Sequence, residues 1–453
     1  MRKRIFSSLI LICMLLQFSS VNAQPANEEK KATEETSIQR LAAKSPHAIL
    51  VDLKTGMTLY KKKANEKVFP AGLTKIMTAV IVLEKGNLET VVTASEASIA
   101  NVKNGDSKMG IVKDERLSVR QLLYGMMLAS ATDAVNVLSE HIGGSIEGFV
   151  AMMNEKAKEL GMKNTSFTNP VGTHDERHYT TASDMAKLAV YAMKIPEFCD
   201  IVKSEIYIIP ATEKYKNERK LTNRNYFVSR LLRREYYYKY ATGIQTGYTN
   251  EAKSCIAASA KRNDIELLAL VFEATTEDET VMSFVDCKNM FDYVFSNYVP
   301  RTVVPENSIA TQIKLDNSRR NKKVILKTQE GLVALQQKEE EAPKITFKDN
   351  VKKSVSAPVK EGTVLGRREY FLNGNFVGSV NLVADMDYRF DPVTFLVNKI
   401  VAFVFSPWIY VVAVICLISW IMIERKRRQM LRKKRIEQRK KRNKELIKQF
   451  DYK

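Results

Sequence analysis

The chain has 453 residues, with 71 Lys or Arg against 51 Asp or Glu and a formal net charge of +20. Its 45% hydrophobic and 27% charged content, with 18 Gly and 12 Pro, excludes collagen-like, disulfide-dense and wholly disordered chains. That length exceeds one compact core and predicts two domains with appendages. The charge sits at the ends: residues 424–453 carry a net +11 and Arg2, Lys3 and Arg4 a further +3, leaving +6 for the body. The body is therefore no basic platform, and nucleic acid is not expected as a partner.

In chain order, residues 1–23 read as a signal peptide. Arg2-Lys3-Arg4 precedes an uncharged apolar stretch from Ile5 to Phe18, and Val21-Asn22-Ala23 predicts cleavage after Ala23. Residues 24–40 are polar and charged, a flexible linker. From about Ser45, two short strands are expected around Lys54-Thr55-Gly56, the first from His47 and the second over Met57 to Tyr60. Thr74 to Glu84 and Leu117 to Ile142 have helical length and few breakers. Ile256 to Ala260 and Ile265 to Phe272 read as a late hairpin. Strands at both ends with helices between predict an α+β domain over 41–299, one antiparallel sheet covered by helices.

Residues 300–390 alternate short apolar runs with charged turns and predict a small β-rich domain. The Glu339-Glu340-Glu341 cluster is read as one of its exposed loops. Ile400 to Ile423 is 24 residues without a charge, long enough for one transmembrane helix. It contains Trp408, Tyr410 and Trp420, as expected near a lipid–water boundary. Pro407 either kinks this span or marks where an interfacial segment becomes the span. Arg425-Lys426-Arg427-Arg428 follows directly, which places the basic tail 424–453 in the cytoplasm and the body outside. The tail is expected to be a solvated helix or coil that attracts anionic membrane lipid, at about 1 kcal/mol per basic residue near the surface.

Five cysteines (Cys13, Cys199, Cys255, Cys287 and Cys416) leave three in the exported body, which admits at most one disulfide. Four scattered histidines give no zinc pattern, and no metal or organic cofactor is expected.

The chemistry-bearing positions fall in three places. Val68-Phe69-Pro70-Ala71-Gly72-Leu73-Thr74-Lys75-Ile76-Met77-Thr78 comes first. Leu122-Leu123-Tyr124-Gly125 then leads to Ser130-Ala131-Thr132-Asp133. Thr242-Gly243-Ile244-Gln245-Thr246-Gly247-Tyr248 is third. In this order they resemble the three active-site motifs of the D-alanyl-D-alanine carboxypeptidases, low-molecular-weight penicillin-binding proteins of serine peptidase family S11. Further likeness comes from Lys156 to Gly161, Asn164 to Pro170, His178 to Met185 and Ala258 to Arg262, and covers about residues 40–390. Ala357-Pro358-Val359-Lys360 through Val383 resembles the β-rich domain that follows the peptidase in this family.

The resemblance implies a penicillin-recognising, β-lactamase-like fold and a Ser-x-x-Lys motif, with the lysine one turn after the serine on the same helix face. Lys75 occupies the lysine position, but Gly72 stands where the nucleophile belongs. Thr74 is no substitute, because it points to another face. Ser130 matches the proton-relaying serine. Thr132 replaces an amide side chain and cannot both donate from nitrogen and accept at oxygen. Gln245, Thr246 and Gly247 match a substrate-binding Lys-Thr-Gly, with the charge lost. A neutral hydrogen bond contributes ~0.5–1.5 kcal/mol against roughly 1.5–3 for a charged one, so carboxylate binding should weaken roughly tenfold. Lys253 stands where the family usually has glycine, and His178 is read as a structural hydrogen-bonding residue.

Removing such a nucleophile costs on the order of 10⁶ in turnover, although binding survives, and the Gly72 N–H is still expected to point into an oxyanion hole. No catalytic residue is assigned; Gly72, Lys75, Ser130 and Thr132 are vestigial positions. The expectation is a membrane-anchored pseudoenzyme at the cytoplasmic membrane of a bacterium, binding peptidoglycan stem peptides or a cell-wall enzyme. Two alternatives stay open: a residual D,D-carboxypeptidase that removes terminal D-Ala, and a membrane scaffold acting through its basic tail.

Overall fold

The computed structural model describes residues 43–450 apart from 104, 320–321 and 340–342. The expected signal peptide 1–23, the linker 24–40, and Glu340 and Glu341 of the acidic cluster lie outside the described residues. The chain divides into two compact units. The first runs to Val303 and adds Val333–Thr346 and Tyr370–Gly378; the second comprises Val304–Leu332, Phe347–Glu369 and Ser379–Lys453.

In the first unit β1 (His47–Asp52) and β2 (Thr58–Lys62) form the early hairpin around Gly56. The chain then makes a 3₁₀ turn at Ala71–Leu73 and enters α1 (Thr74–Lys85). Every residue of α1 from Thr74 to Val82 is buried, and the polar ones among them, Thr74, Lys75 and Thr78, are each hydrogen-bonded to the 170–178 segment. Its neighbours are α2 (Val119–Leu128), α3 (Thr132–Gly143), α4 (Ile146–Glu159), α5 (Ala182–Ala192) and α6 (Pro196–Lys203). The sheet is completed by β3 (Ala241–Thr249), β4 (Lys253–Arg262) and β5 (Ile265–Ala274), and α7 (Met282–Asn297) packs on β4 and β5.

The sheet order is β2-β1-β5-β4-β3, with every pairing antiparallel. β1 lies inside it and is buried along its whole length, whereas β3 is an edge strand. This α+β architecture is the expected one, and the late hairpin turns at Asn263, which is left-handed at φ 53°. The stretch from Leu117 to Ile142 is two helices, not one. Ser130, at φ 56°, breaks it between α2 and α3. α2 starts at a capping box: Ser118 Oγ accepts from Gln121 N at 3.2 Å, and Gln121 Oε1 accepts from Ser118 N at 2.8 Å.

One buried ion pair fixes the loop ahead of α2. Arg219 grips Glu115 with two 2.8 Å hydrogen bonds and the Gly110 carbonyl with a third at 3.0 Å. Burial alone would raise the Glu115 carboxyl, but the bonds from Arg219, Thr212 and the Val112 amide outweigh it and hold the group below the usual carboxylate range. The pair specifies the loop path even where its net stabilisation is small, and Arg219 Nε is left buried without a partner.

In the second unit Ile309–Asp316 pairs antiparallel with Lys323–Thr328 and parallel with Ser354–Ser356. Its core gathers Ile313, Leu315, Val324, Leu326, Leu365, Leu382 and Tyr388. The Tyr388 hydroxyl donates to Asp385 at 2.6 Å and accepts from Ile325 N at 3.0 Å, so the buried ring leaves no polar atom unpaired.

The C-terminal apolar stretch forms two helices. α8 (Pro392–Val404) is capped by Asp391, whose carboxylate accepts from Thr394 N at 3.1 Å. After a break at Phe405 and Ser406, α9 (Pro407–Phe450) begins with its proline at the first turn, where no N–H is needed. α9 is long and apolar enough over its first part to cross a membrane and runs on as a helix into the basic stretch as far as Phe450. The apolar stretch from Ile400 to Ile423 is thus divided between two helices, with Pro407 at the start of the second.

Candidate active site

Gly72 sits in the 3₁₀ turn that feeds α1, so its position is set by the most enclosed helix of the unit. Opposite it runs the edge strand β3. A Cβ added to Gly72 would lie 2.7 Å from the Thr246 carbonyl oxygen and 3.0 Å from the Gly247 Cα. Both obstacles are backbone. The approach is reciprocal, since a Cβ on Gly247 would lie 2.9 Å from the Gly72 Cα and 3.1 Å from the Ala71 side chain. Two glycines thus let the turn and the strand meet where a nucleophile would need space. Ala71, buried and immediately before Gly72, is held at φ 45°, and such strain costs ~1–3 kcal/mol and persists only in a strongly determined surround.

Lys75 follows one turn later. Its Nζ donates to the Val171 carbonyl at 2.9 Å. That carbonyl belongs to a loop organised by Asn169, whose Oδ1 accepts from the N–H groups of Val171 (3.2 Å), Gly172 (2.7 Å) and Thr173 (3.1 Å). Burial pushes the Lys75 ammonium down to about 8, with Asp106 opposing and Arg224 adding to the effect.

Thr74 is engaged by a different partner on the same segment. Its Oγ1 lies 2.9 Å from His178 Nε2 and is fully buried. His178 Nδ1 accepts from Thr168 N at 3.0 Å, so the neutral ring carries its proton on Nε2 and donates it to Thr74. In that tautomer the imidazole cannot take a proton from the threonine. Burial pushes His178 down to about 4, with Asp175 opposing and His174 adding to the effect.

Ser130 and Thr132 flank the α2–α3 junction. Thr132 is buried, and its N–H donates to the Ser107 carbonyl at 2.7 Å. The neighbouring Asp133 carboxylate ties down the same loop, accepting from Met109 N (3.1 Å), Gly110 N (2.8 Å) and Ile111 N (3.0 Å). Arg224 reaches in from beyond residue 222 and hydrogen-bonds the Ser107 hydroxyl through Nη1. On β3, Gln245 is 1% exposed. Its Oε1 accepts from Thr246 N at 3.1 Å and its Nε2 lies 3.9 Å from the Met127 sulfur. The amide is therefore occupied by its own strand and by α2.

The structure brings Gly72 and Thr246–Gly247 into contact and places Lys75 one turn away. Asp106, Ser107, Val171 and Arg224 join this neighbourhood without belonging to any motif read from the sequence. The available signal for Arg224 was its setting, Asn223-Arg224-Asn225, in which two buried asparagines build a turn: Asn223 Nδ2 donates to the Val202 and Ser204 carbonyls at 3.1 and 2.9 Å, and Asn225 Oδ1 accepts from Phe227 N at 3.1 Å. The arrangement offers cations at Lys75 and Arg224 and backbone at β3, but no hydroxyl at position 72.

Among the described residues, the cysteines give no further chemistry. Cys199, Cys255, Cys287 and Cys416 are all free thiols. Burial pushes Cys255 up to about 12 and Cys287 well above the usual thiol value, which keeps both as inert thiols. Among the described residues, no group of three His, Cys, Asp or Glu side chains is arranged to hold a metal ion.

Comparison with known proteins agrees with this architecture. Residues 30–276 match the D-alanyl-D-alanine carboxypeptidase family model, and residues 298–389 match that of the penicillin-binding protein 5 C-terminal domain. The chain is 33% identical over 394 residues to the D-alanyl-D-alanine carboxypeptidase DacF of Bacillus subtilis, covering 85% of this chain and 95% of the relative. Penicillin-binding protein 5 of Haemophilus influenzae superposes with a TM-score of 0.61 at 24% identity, over 77% of this chain and 98% of that one. PBP3 of Streptococcus pneumoniae, described as a peptidoglycan synthesis regulatory factor, gives 0.63 at 22% identity, over 77% of this chain and all of that one. The chain belongs to the D-alanyl-D-alanine carboxypeptidase family.

Two outcomes test this geometry. Gly72→Ser should destabilise the protein by ~1–3 kcal/mol in chemical denaturation, because the new Cβ meets backbone and not a yielding side chain; undiminished stability would show that the turn and strand are not in contact. His178 protonates near 4 when folded and near 6.5 when unfolded, so the unfolded chain binds more protons between those values. Stability should thus be fully present above pH 6.5 and fall by up to about 3 kcal/mol as pH drops toward 4. His178→Gln should flatten this dependence, and an unchanged slope would contradict the buried neutral ring.

Proposed function

We propose that the protein is a catalytically inactive member of its family, anchored in the cytoplasmic membrane, whose extracytoplasmic body binds peptidoglycan stem peptides or a cell-wall enzyme. The observation that carries this reading is Gly72 at the nucleophile position, pressed against the backbone of Thr246 and Gly247. Lys75 supports it, because its ammonium is bonded to the Val171 carbonyl and has no hydroxyl at position 72 to activate. Gln245 supports it too, since its amide is buried against α2 and its own strand. The apolar part of α9 supports the anchor, and the run Arg425-Lys426-Arg427-Arg428 directly after it favours a cytoplasmic tail. Stem peptides are the natural ligand class for a retained family scaffold, and relatives are named for cleaving D-alanyl-D-alanine.

The test is D-alanine release from a stem pentapeptide by the full-length protein in detergent micelles. The expected outcome is no release above the buffer blank, with binding of the same peptide retained or a wall enzyme captured by crosslinking. Release that persists through further purification would overturn the reading and require a nucleophile other than residue 72.

A further inference from the structure

The basic residues that follow the apolar part of α9 keep a seven-residue rhythm. Arg425-Lys426-Arg427-Arg428, Arg432-Lys433-Lys434-Arg435 and Arg439-Lys440-Lys441-Arg442 are quartets that start seven residues apart, with an arginine at both ends of each. All three lie on one continuous helix and are exposed. The end positions, Arg425, Arg428, Arg432, Arg435, Arg439 and Arg442, are spaced alternately by three and four residues. At about 100° per residue they fall within an arc of about 100°, with one arginine for every ~5 Å of helix. Lys426, Lys433, Lys434, Lys440 and Lys441 fall on the opposite side, beside Glu437, the one acidic residue between Arg425 and Lys444. Of these basic residues only Arg428 has an ion-pair partner among the described residues, Glu424 at 3.4 Å.

A bilayer answers only the first quartet. From Arg425 to Arg442 the helix rises about 26 Å, roughly three Debye lengths at physiological ionic strength. Because it runs unbroken out of the apolar part, it carries the second and third quartets away from the headgroups and not along them. Like charges three and four residues apart destabilise an isolated helix, and an anionic partner relieves that repulsion. The two charged sides limit the shape of this partner. A flat acidic protein surface or a lipid surface meets one of them. A single nucleic-acid strand is poorly served, since no aromatic residue stands between Arg425 and Lys444 to stack on bases. A groove bordered by a phosphate strand on each side meets both. The major groove of B-form DNA admits an α-helix, whereas that of A-form RNA is too narrow for side chains to read.

We propose that the helix over residues 425–444 is a sequence-independent binding site for duplex DNA, seated in the major groove with the arginine stripe on one phosphate strand and the lysine side on the other. Guanidinium groups take phosphates with paired donors, and ammonium groups take them as point charges. The expectation against nucleic acid rested on the weak charge of the body, to which this helix does not belong. The site rests on the cytoplasmic side proposed above for the tail and does not depend on whether the cleft is active.

Fluorescence anisotropy of a short DNA duplex of mixed sequence, titrated with the full-length protein in nanodiscs of zwitterionic lipid, tests this. Nanodiscs are open on both faces, so a failure here is distinct from a failure of the proposed topology. The duplex should bind, with log K falling by about 0.9 per contacted phosphate for each tenfold rise in salt. Arg432→Gln/Arg435→Gln/Arg439→Gln/Arg442→Gln and Lys433→Gln/Lys434→Gln/Lys440→Gln/Lys441→Gln should each lose at least roughly tenfold in affinity and show a flatter salt dependence. Glutamine is a good helix former, so both variants should keep the far-ultraviolet circular dichroism spectrum of the wild type, and both retain the quartet next to the membrane. Wild-type affinity in either variant would show that one side of the helix suffices. Equal binding of duplex RNA, single-stranded DNA or polyglutamate would replace the groove with general attraction of polyanions. Either result, or no binding of the duplex at all, would overturn the proposal.

Discussion

The close approach of Gly72 to Thr246 and Gly247 is the contact on which the site depends. One partner is the turn that starts the most enclosed helix, and the other is the edge strand of the sheet. Neither is free to move far: α1 is buried from Thr74 to Val82, and β3 is bonded along β4 over nearly its whole length. With side chains absent at both 72 and 247, the backbones meet directly. Close-packed interiors leave no vacancy where a group has been lost, and here the strand occupies the space.

The surrounding groups follow from that closure. Lys75 is buried and answered by a carbonyl, Thr132 is buried beneath the 107–111 loop, and Gln245 is turned into its own strand. Each has a packing or hydrogen-bonding partner, so none is left as an unsatisfied buried polar group, the costly alternative. Backbone strain at Ala71 and Ser130 nevertheless persists. Left-handed alanine and serine are unfavourable by themselves; Ala71 immediately precedes Gly72, and Ser130 is itself one of the positions that resemble the family's motifs. The scaffold therefore keeps the shape of a catalytic site while the groups at 72, 132 and 245 serve its interior.

Much of this was legible in the sequence, because motif order and spacing define the fold class and the order of its parts. The early and late hairpins and α1 follow from turn residues and apolar periodicity. The break at Ser130 was not legible, since nothing in Leu117 to Ile142 is a strong breaker and a left-handed serine has no local signature. The helix break at Phe405 and Ser406 was marked in the sequence by Pro407 alone, because composition is equally apolar on both sides of it. Within the site, the identity of Gly72 was plain, but the closure against Thr246 was not, because it is a contact between residues 174 positions apart in the chain. Ser107 was hidden likewise, and Arg224 showed only through the two asparagines beside it, both residues being on loops brought together by the tertiary fold.

The central claim is that no activated nucleophile exists in this cleft. Intact-protein mass spectrometry of the full-length wild type after prolonged incubation with benzylpenicillin tests it most directly, since only such a nucleophile opens the β-lactam ring and retains it as an ester or amide. The account predicts an unmodified mass at every time point. A stoichiometric adduct that maps to a residue of the cleft would contradict it.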